Sequence, residues 1–411
     1  MRPAARPTRQ SLHLDPGLRL RHPALFAMAL ILCCLCADAF YLAAPSFVHL
    51  MGQDWGLTEA QLGRIVTAQV LGSIAGNLLV ASVLTRLSTR HLLASGLLTL
   101  VLGYSLLAGQ PAPLLAVAVA ALAGLGGGVV SSVALRFLGT GERATANLSL
   151  FMASENLWGV LLLSVVLPAL GTAGLALGLI AAIPLGGLVF VRLFQPGEPL
   201  ITEGSDAGGH LHRRGAWLCL AAVFCLYAGV GVVWTFLEGR AASAGLPAER
   251  GAQVIALGTL LSVACSWLVP WLVNRGWRWP ATVALLLACA GCIAALAMPQ
   301  TLVLNIAATI GFILLWTGAT MLQFSTLSHY DGVGRHIALA PAVLSTGYAV
   351  GSAAGGELIE RVSAAHAFGA AGLCCLLAAA VHLVLRWSAP ETAAASDKPH
   401  PPGSLQGASP T

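Results

Sequence analysis

Apolar stretches of bilayer-spanning length recur from one end of this chain to the other, and they restrict its fold more than any other feature. Read between polar or Pro/Gly breaks, they fall near 24–50, 59–84, 92–108, 114–138, 145–169 and 173–193. A second set falls near 216–238, 250–273, 281–298, 302–327, 337–359 and 366–386. A helix needs about 20 apolar residues to cross the hydrocarbon of a bilayer, with a lower limit of about 17. The expectation is therefore twelve transmembrane helices. The linker 194–215, with Pro196, Pro199, Gly208, Gly209, Arg213 and Arg214, separates the two sets of six. A membrane barrel needs short strands of alternating polarity, which these runs of Leu, Ala, Val and Gly do not offer. With 57% apolar and 9% charged residues, the chain lacks the charge to clothe a water-soluble protein of 411 residues.

The predicted layout is an N-terminal tail 1–23, a bundle 24–193, the linker 194–215, a second bundle 216–387 and a disordered tail 388–411. The arginines up to Arg21, followed by a run ending Cys36-Ala37-Asp38-Ala39, imitate a secretory leader. The run continues apolar to about Leu50, so it reads as the first span instead. Of the 21 Lys and Arg, sixteen fall on the side of the membrane that holds the N-terminus. Four, Arg64, Arg240, Arg250 and Arg361, fall on the other. Positive residues stay inside, so both termini are expected in the cytoplasm of a bacterial inner membrane. The net charge of +5 is thus a topology signal and implies no nucleic-acid partner. Cysteines such as Cys289 and Cys292 lie in apolar runs and read as small packing residues.

A weak internal repeat supports two similar halves. Gly56-Leu57 ahead of the second span recurs as Gly245-Leu246 ahead of the eighth, and Arg86 after the second span recurs as Arg275 after the eighth. Parallel six-helix repeats are a known transporter architecture, with the binding site between the halves near the midplane.

The segment Ala81-Ser82-Val83-Leu84-Thr85-Arg86-Leu87-Ser88-Thr89-Arg90 resembles a degraded form of the loop that marks the major facilitator superfamily. Arg86 and Arg90 match, while Thr85 stands in place of the family's acid. The second copy, Leu272-Val273-Asn274-Arg275-Gly276-Trp277-Arg278, carries Asn274 in the acidic place. The resemblance covers roughly residues 24–387. It implies an all-α membrane protein of two pseudo-symmetric six-helix bundles, with Arg86, Arg90 and Arg275 in gating loops. Gly124-Leu125-Gly126-Gly127-Gly128 is similar to the glycine end of the superfamily's fourth-helix motif, but Ala120 stands where its proton-coupled drug antiporters usually carry an arginine. In the superfamily the second and eleventh helices face each other, so Gly72-x-x-x-Gly76 and Gly351-x-x-x-Gly355 are expected to form a sliding contact between them.

An ionisable side chain at mid-membrane costs at least about 2.5–3.5 kcal/mol, so it points to function. Asp38 in the first span and Glu155 in the fifth are the acids at that depth, and both are expected to couple transport to protons. Arg136, in the last turn of the fourth span, is expected to snorkel to headgroups. Glu238 and Glu357 are expected at outer helix ends within reach of water. Depth, and the helices that line the superfamily's cavity, nominate Tyr41, Gln69, Tyr227, Trp234, Trp316, Gln323 and Tyr348 as substrate-binding residues. Tyr and Trp combine broad apolar contact with one hydrogen bond, which suits an amphipathic organic solute. His49 and His382 read as incidental, and His210 and His212 as linker residues.

The expected function is secondary active transport of a small organic solute by alternating access. Proton-coupled export of a drug or metabolite is preferred, a siderophore-like solute being one option. The alternatives are proton-coupled uptake and, further off, a non-transporting receptor or scaffold. No nucleotide-binding loop or enzyme constellation is recognisable, so neither a cofactor, a metal nor catalysis is expected. The partners expected are the solute, protons and the lipid bilayer, with the chain acting as a monomer.

Overall fold

The computed structural model describes residues 23–83, 89–138, 144–191, 213–298, 301–330, 336 and 339–388. Among them the secondary structure is helical throughout. The first half comprises α1 (Pro23–Leu42), α2 (Ala44–Trp55), α3 (Glu59–Val83), α4 (Thr89–Ala108) and α5 (Pro113–Leu138). It continues through α6 (Ala144–Leu161), a π-helical turn (Leu162–Val166), α7 (Leu167–Leu170) and α8 (Ala173–Val191). The second half comprises α9 (Arg213–Ser243), α10 (Ala248–Ser262), α11 (Cys265–Asn274), α12 (Arg278–Ala297), α13 (Leu302–Tyr330), α14 (Ala340–Arg361) and α15 (Ala364–Ser388).

Nine of the described helices, counting segments that run on through a short break, are long and apolar enough to cross a membrane, and the pair α1 and α2 adds a tenth. Two more rods fit the twelve expected. One is α8, shorter but apolar, and the other is α14, whose apolar character is diluted by glycine, serine, Glu357 and Glu360.

Three rods are interrupted, and each carries a proline at or after the interruption. Pro45 cannot donate to the carbonyl of Tyr41, and the first rod bends by 55° between α1 and α2. Pro168 follows the π-helical turn of the fifth rod. Pro270 lies in α11, and just upstream Val263, Ala264, Ser266 and Trp267 donate to carbonyls three residues back. This tighter bonding separates α10 from α11.

The rods alternate in direction. One face of the molecule therefore carries the tight turns at Gly56, Gln110, Gly171 and Gly245; the opposite, terminal face carries the start of α1 and the end of α15. Gly56 and Gly245 both adopt left-handed backbone, with φ of 63° and 89°, ahead of α3 and α10. The sequence repeat thus corresponds to one turn conformation used twice. Its other end cannot be compared, because Arg86 lies outside the described residues.

The glycine pairs do not make the expected contact with each other. A Cβ on Gly72 would sit 2.1 Å from the Ala121 carbonyl oxygen and one on Gly76 2.3 Å from that of Leu125, so both pack against α5. A Cβ on Gly351 would sit 2.0 Å from the Ala228 carbonyl oxygen, and one on Gly355 would meet Val232, so both pack against α9. These glycines bind each half together internally. The α3–α14 contact between halves is made nearer the tight turns, where Gly63 lies against the Ser352 carbonyl and Gly356 against that of Glu59.

Candidate functional site

The contacts between the halves gather at the tight-turn face. Arg64 pairs with Glu357, which also holds Arg361 at 2.9 Å. The amide of Ala60 donates to Glu360 at 3.1 Å, and Thr67 Oγ1 donates to the Ala349 carbonyl at 2.8 Å. Ser46 of α2 donates to the carboxylate of Glu238 on α9. Glu238 is 3% exposed, not at a watered helix end as expected, because α9 runs on to Ser243 and α10 folds over it.

Just below this seam the halves meet through aromatic rings. Trp234 Nε1 donates to the carbonyl oxygen of Tyr41 at 3.2 Å. That carbonyl is the one Pro45 leaves without its helical N–H, so an indole from the second half replaces a backbone donor missing from the first. The ring of Tyr41 meets that of Tyr348 edge-on at 5.1 Å. Trp234 packs on Trp316 at 5.4 Å, and Trp316 on Tyr227 at 6.2 Å and on Phe312 at 5.7 Å. The Tyr348 hydroxyl shares a hydrogen bond with Thr235 at 3.2 Å, and Thr320 donates to the Tyr227 hydroxyl at 3.4 Å. Five of the seven aromatic and amide candidates thus form one roof.

Asp38 lies one turn from Tyr41 on the terminal side of this roof. Its carboxyl lies beside that of Glu155 on α6, within electrostatic reach, and Ser131 of α5 donates to it at 3.4 Å. The Tyr41 hydroxyl lies within electrostatic reach of both acids and of Tyr227 and Tyr348. No described basic side chain contacts either carboxyl; Arg64, Arg240 and Arg361 are all held at the tight-turn face. The Arg136 side chain lies outside the described residues.

Two candidates stand apart. Gln69 donates to the Tyr104 hydroxyl at 3.0 Å, inside the first half and away from the gap between halves. Its position in α3 faces α4, a facing that mid-span depth alone could not reveal. Gln323 is 0% exposed, and its amide has no partner among the described residues. Of the gating-loop candidates, Arg86 is not described, Arg90 is exposed at the start of α4, and Arg275 lies 4.1 Å over the Trp271 ring. Ser46, Ser131, Thr235, Thr320 and Ser352 escaped the sequence reading. A small hydroxyl inside a helix carries no signal of what it faces, although Pro45 next to Ser46 marks a helix with a carbonyl to satisfy.

All ten cysteines are free, and Cys289 packs on Cys375 rather than pairing with Cys292. His382 is buried beside Trp279 at 6.2 Å. Among the described residues no group of His, Cys, Asp or Glu could hold a metal ion. His210 and His212 lie outside the described residues.

Helical rods in two bundles, joined over a polar and aromatic centre, define the class of polytopic membrane transporter. The family model of the Major Facilitator Superfamily matches residues 28–333, and the chain belongs to that family. It is therefore a transporter and not an enzyme. Similar solved structures include that of the nucleoside transporter NupG, at 11% identity and a TM-score of 0.69, with 91% of this chain and 100% of that one covered. Another is a point mutant of the peptide transporter POT in complex with sulfate, at 16% identity and a TM-score of 0.68, with 92% and 95% covered. At such identities the likeness is one of fold. No curated protein matches the chain.

Proposed function

We propose that the protein is a proton-coupled exporter of a small organic solute, seated in a bacterial inner membrane with both termini in the cytoplasm. The observation that carries this reading is the placing of the Asp38 and Glu155 carboxyls side by side beneath the aromatic roof, with Ser131 donating to Asp38 and no described cation at either. Two ionised carboxylates so placed repel and offer each other no donor, so a proton held by one of them relieves the repulsion and supplies the donor. The pair then titrates as a unit.

A protonated pair is cheap to enclose between the halves, and an ionised pair favours a wet, open cleft. Proton release on one side and uptake on the other would thus bias which face is open. The aromatic residues Tyr41, Tyr227, Trp234, Trp316 and Tyr348 would hold the solute, and Arg86, Arg90 and Arg275 would line the cytoplasmic gate. The arginine distribution supports the orientation. The two bundles, 24–193 and 216–387, would rock about this centre within a single chain, without a partner subunit.

Uptake by proton symport is the second reading, favoured by Ala120 in the fourth span where proton-coupled drug antiporters of the family usually carry an arginine. Vesicles containing the purified protein test the proposal. With an imposed pH gradient, wild type should move solute against the proton flow, and the double variant Asp38→Asn, Glu155→Gln should move none. Proton-driven transport that survives both substitutions ends the proposal, and solute moving with protons selects uptake.

A further inference from the structure

We infer that a groove between α3 and α14, open sideways to the bilayer, holds one phospholipid from the leaflet at the tight-turn face, and holds it only while that face is closed. The inference stands apart from the proton and solute readings above and rests on a cavity that neither uses.

The groove has a volume of about 460 Å³, within the range of sites that enclose an organic ligand. Arg64, Thr67 and Leu71 share one face of α3 and form one wall; Thr346, Val350, Ala353 and Glu357 recur at the same spacing on α14 and form the other. Small side chains make the hollow, because Ala349, Ala353 and Ala354 stop at Cβ. Leu71 and Val350 are each about half exposed at mid-rod, where the surroundings are hydrocarbon and not water. The hydroxyls of Thr67 and Thr346 are spent on the carbonyls of Ala349 and Ala342. Between its ends the groove therefore offers a sugar or a peptide no free donor among the described residues.

Its length fits a lipid tail. Glu357 and Thr346 lie eleven residues apart on α14, about 16 Å along a helix. The groove thus runs from the ion pair at the tight-turn face to the level of the contact between Tyr41 and Tyr348. Half of a hydrocarbon core about 30 Å thick is nearly the same distance. The groove covers one leaflet, the reach of an acyl chain whose head group sits at the ion pair.

The charged end fits the head group. Glu357 is one carboxylate between two guanidiniums, those of Arg64 and Arg361, whose side chains are 55% and 76% exposed. A guanidinium carries several N–H donors in a fixed fork, and sharing one carboxylate leaves donors and positive charge for a phosphate. In the next turn Glu360 accepts from the amide of Ala60, and Glu59 lies within electrostatic reach of it. A zwitterionic head matches this order, with its phosphate on the arginines and its ammonium toward the acids.

The two walls belong to different halves, held together by Thr67 on Ala349 and by Arg64 on Glu357. Parting the halves at this face splits the groove along its length and releases the lipid. By linkage, a bound lipid favours closure.

Full-length protein in phosphatidylcholine nanodiscs, seeded with a phosphatidylcholine that carries a diazirine in its acyl chain, tests this. After irradiation and digestion, label should concentrate on 64–71 and 346–357. The expected excess over the exposed faces of α4 and α15, at Leu98, Leu102, Leu373 and Leu377, is about 10-fold, a preference of about 1.4 kcal/mol. A diacylglycerol with the same diazirine, lacking the phosphate, should show no such preference. Ala353→Phe, which fills the groove, should remove it. So should Ser46→Ala with Trp234→Phe, which loosen the closed face from outside the groove. If a variant fails to fold, the comparison of the two probes on the wild type still decides. Label spread evenly over the lipid-facing helices, or an equal preference from the diacylglycerol, overturns the inference. So does a preference unmoved by opening the face, or label excluded from the groove, as a second copy of the chain seated there would cause.

Discussion

Replacing Trp234 by Phe keeps a ring of similar breadth in the roof and deletes one donor, the indole N–H that reaches Tyr41 at 3.2 Å. Pro45 has already removed the helical donor for that carbonyl, so the variant leaves it unsatisfied in a site where Trp234 itself is 5% exposed. An orphaned buried polar group costs about 1–3 kcal/mol. The penalty applies while the tight-turn face is closed and disappears when the halves part and water reaches Tyr41. The conformational equilibrium should therefore move toward opening at that face by about 5- to 150-fold. Spin labels carried by non-natural residues at Thr58 and Val362, both exposed beside the seam, would report the populations by pulsed electron resonance. Pro45→Ala supplies the missing backbone N–H, so Trp234→Phe should cost less in that background, a coupling read from the double-mutant cycle. A distribution unchanged by Trp234→Phe, or strict additivity with Pro45→Ala, would refute the reasoning.

Gly351→Val should lower the thermal stability of the purified protein by overpacking against Ala228, about 1–3 kcal/mol or more, and Gly72→Val should do the same against Ala121. Neither should act through the α3–α14 seam, so an unchanged thermal stability, or a loss that appears only while that seam is closed, would count against this packing. Ser46→Ala strips Glu238 of its hydrogen-bond donor and should weaken the closed seam by about 1–3 kcal/mol. Glu238→Gln, neutral and still able to accept, should be milder in the same labelled-distance assay, and the reverse order would refute this role. Charge exchange across the seam, Arg64→Glu with Glu357→Arg in an Arg361→Gln background that removes the like charge beside position 357, should restore transport that either single change impairs, most visibly at low salt. Failure of the pair to rescue would exclude a gate at this contact.

Hydropathy made the fold legible because lipid admits so few alternatives. Each apolar run had to be a helix, and α3, α5 and α12 begin and end within a few residues of the predicted spans. Rods that exchange apolar surface for intimate packing carry a weaker signal. In α14, glycines that let α9 approach closely lower the same hydropathy that would mark a span. Asp38 and Glu155 were readable because a charge in hydrocarbon is conspicuous; that they are neighbours depends on how α1 and α6 are turned, which no local pattern encodes. Gln69 and the glycine pairs show the same gap. Their depth was readable, but their facing, toward α4 and toward α5 and α9, is set by packing within each half. Glu238 was misplaced because the seventh rod outlasts its apolar run by a turn and that turn is covered by α10.

Infrared difference spectroscopy across a pH step addresses the shared proton most directly, since a protonated carboxyl has its own carbonyl stretch, separate from that of a carboxylate. The account predicts one such band in the wild type that shifts in heavy water and is lost or displaced by Asp38→Asn and by Glu155→Gln alike. A spectrum without that band, or one that either substitution leaves untouched, would contradict it.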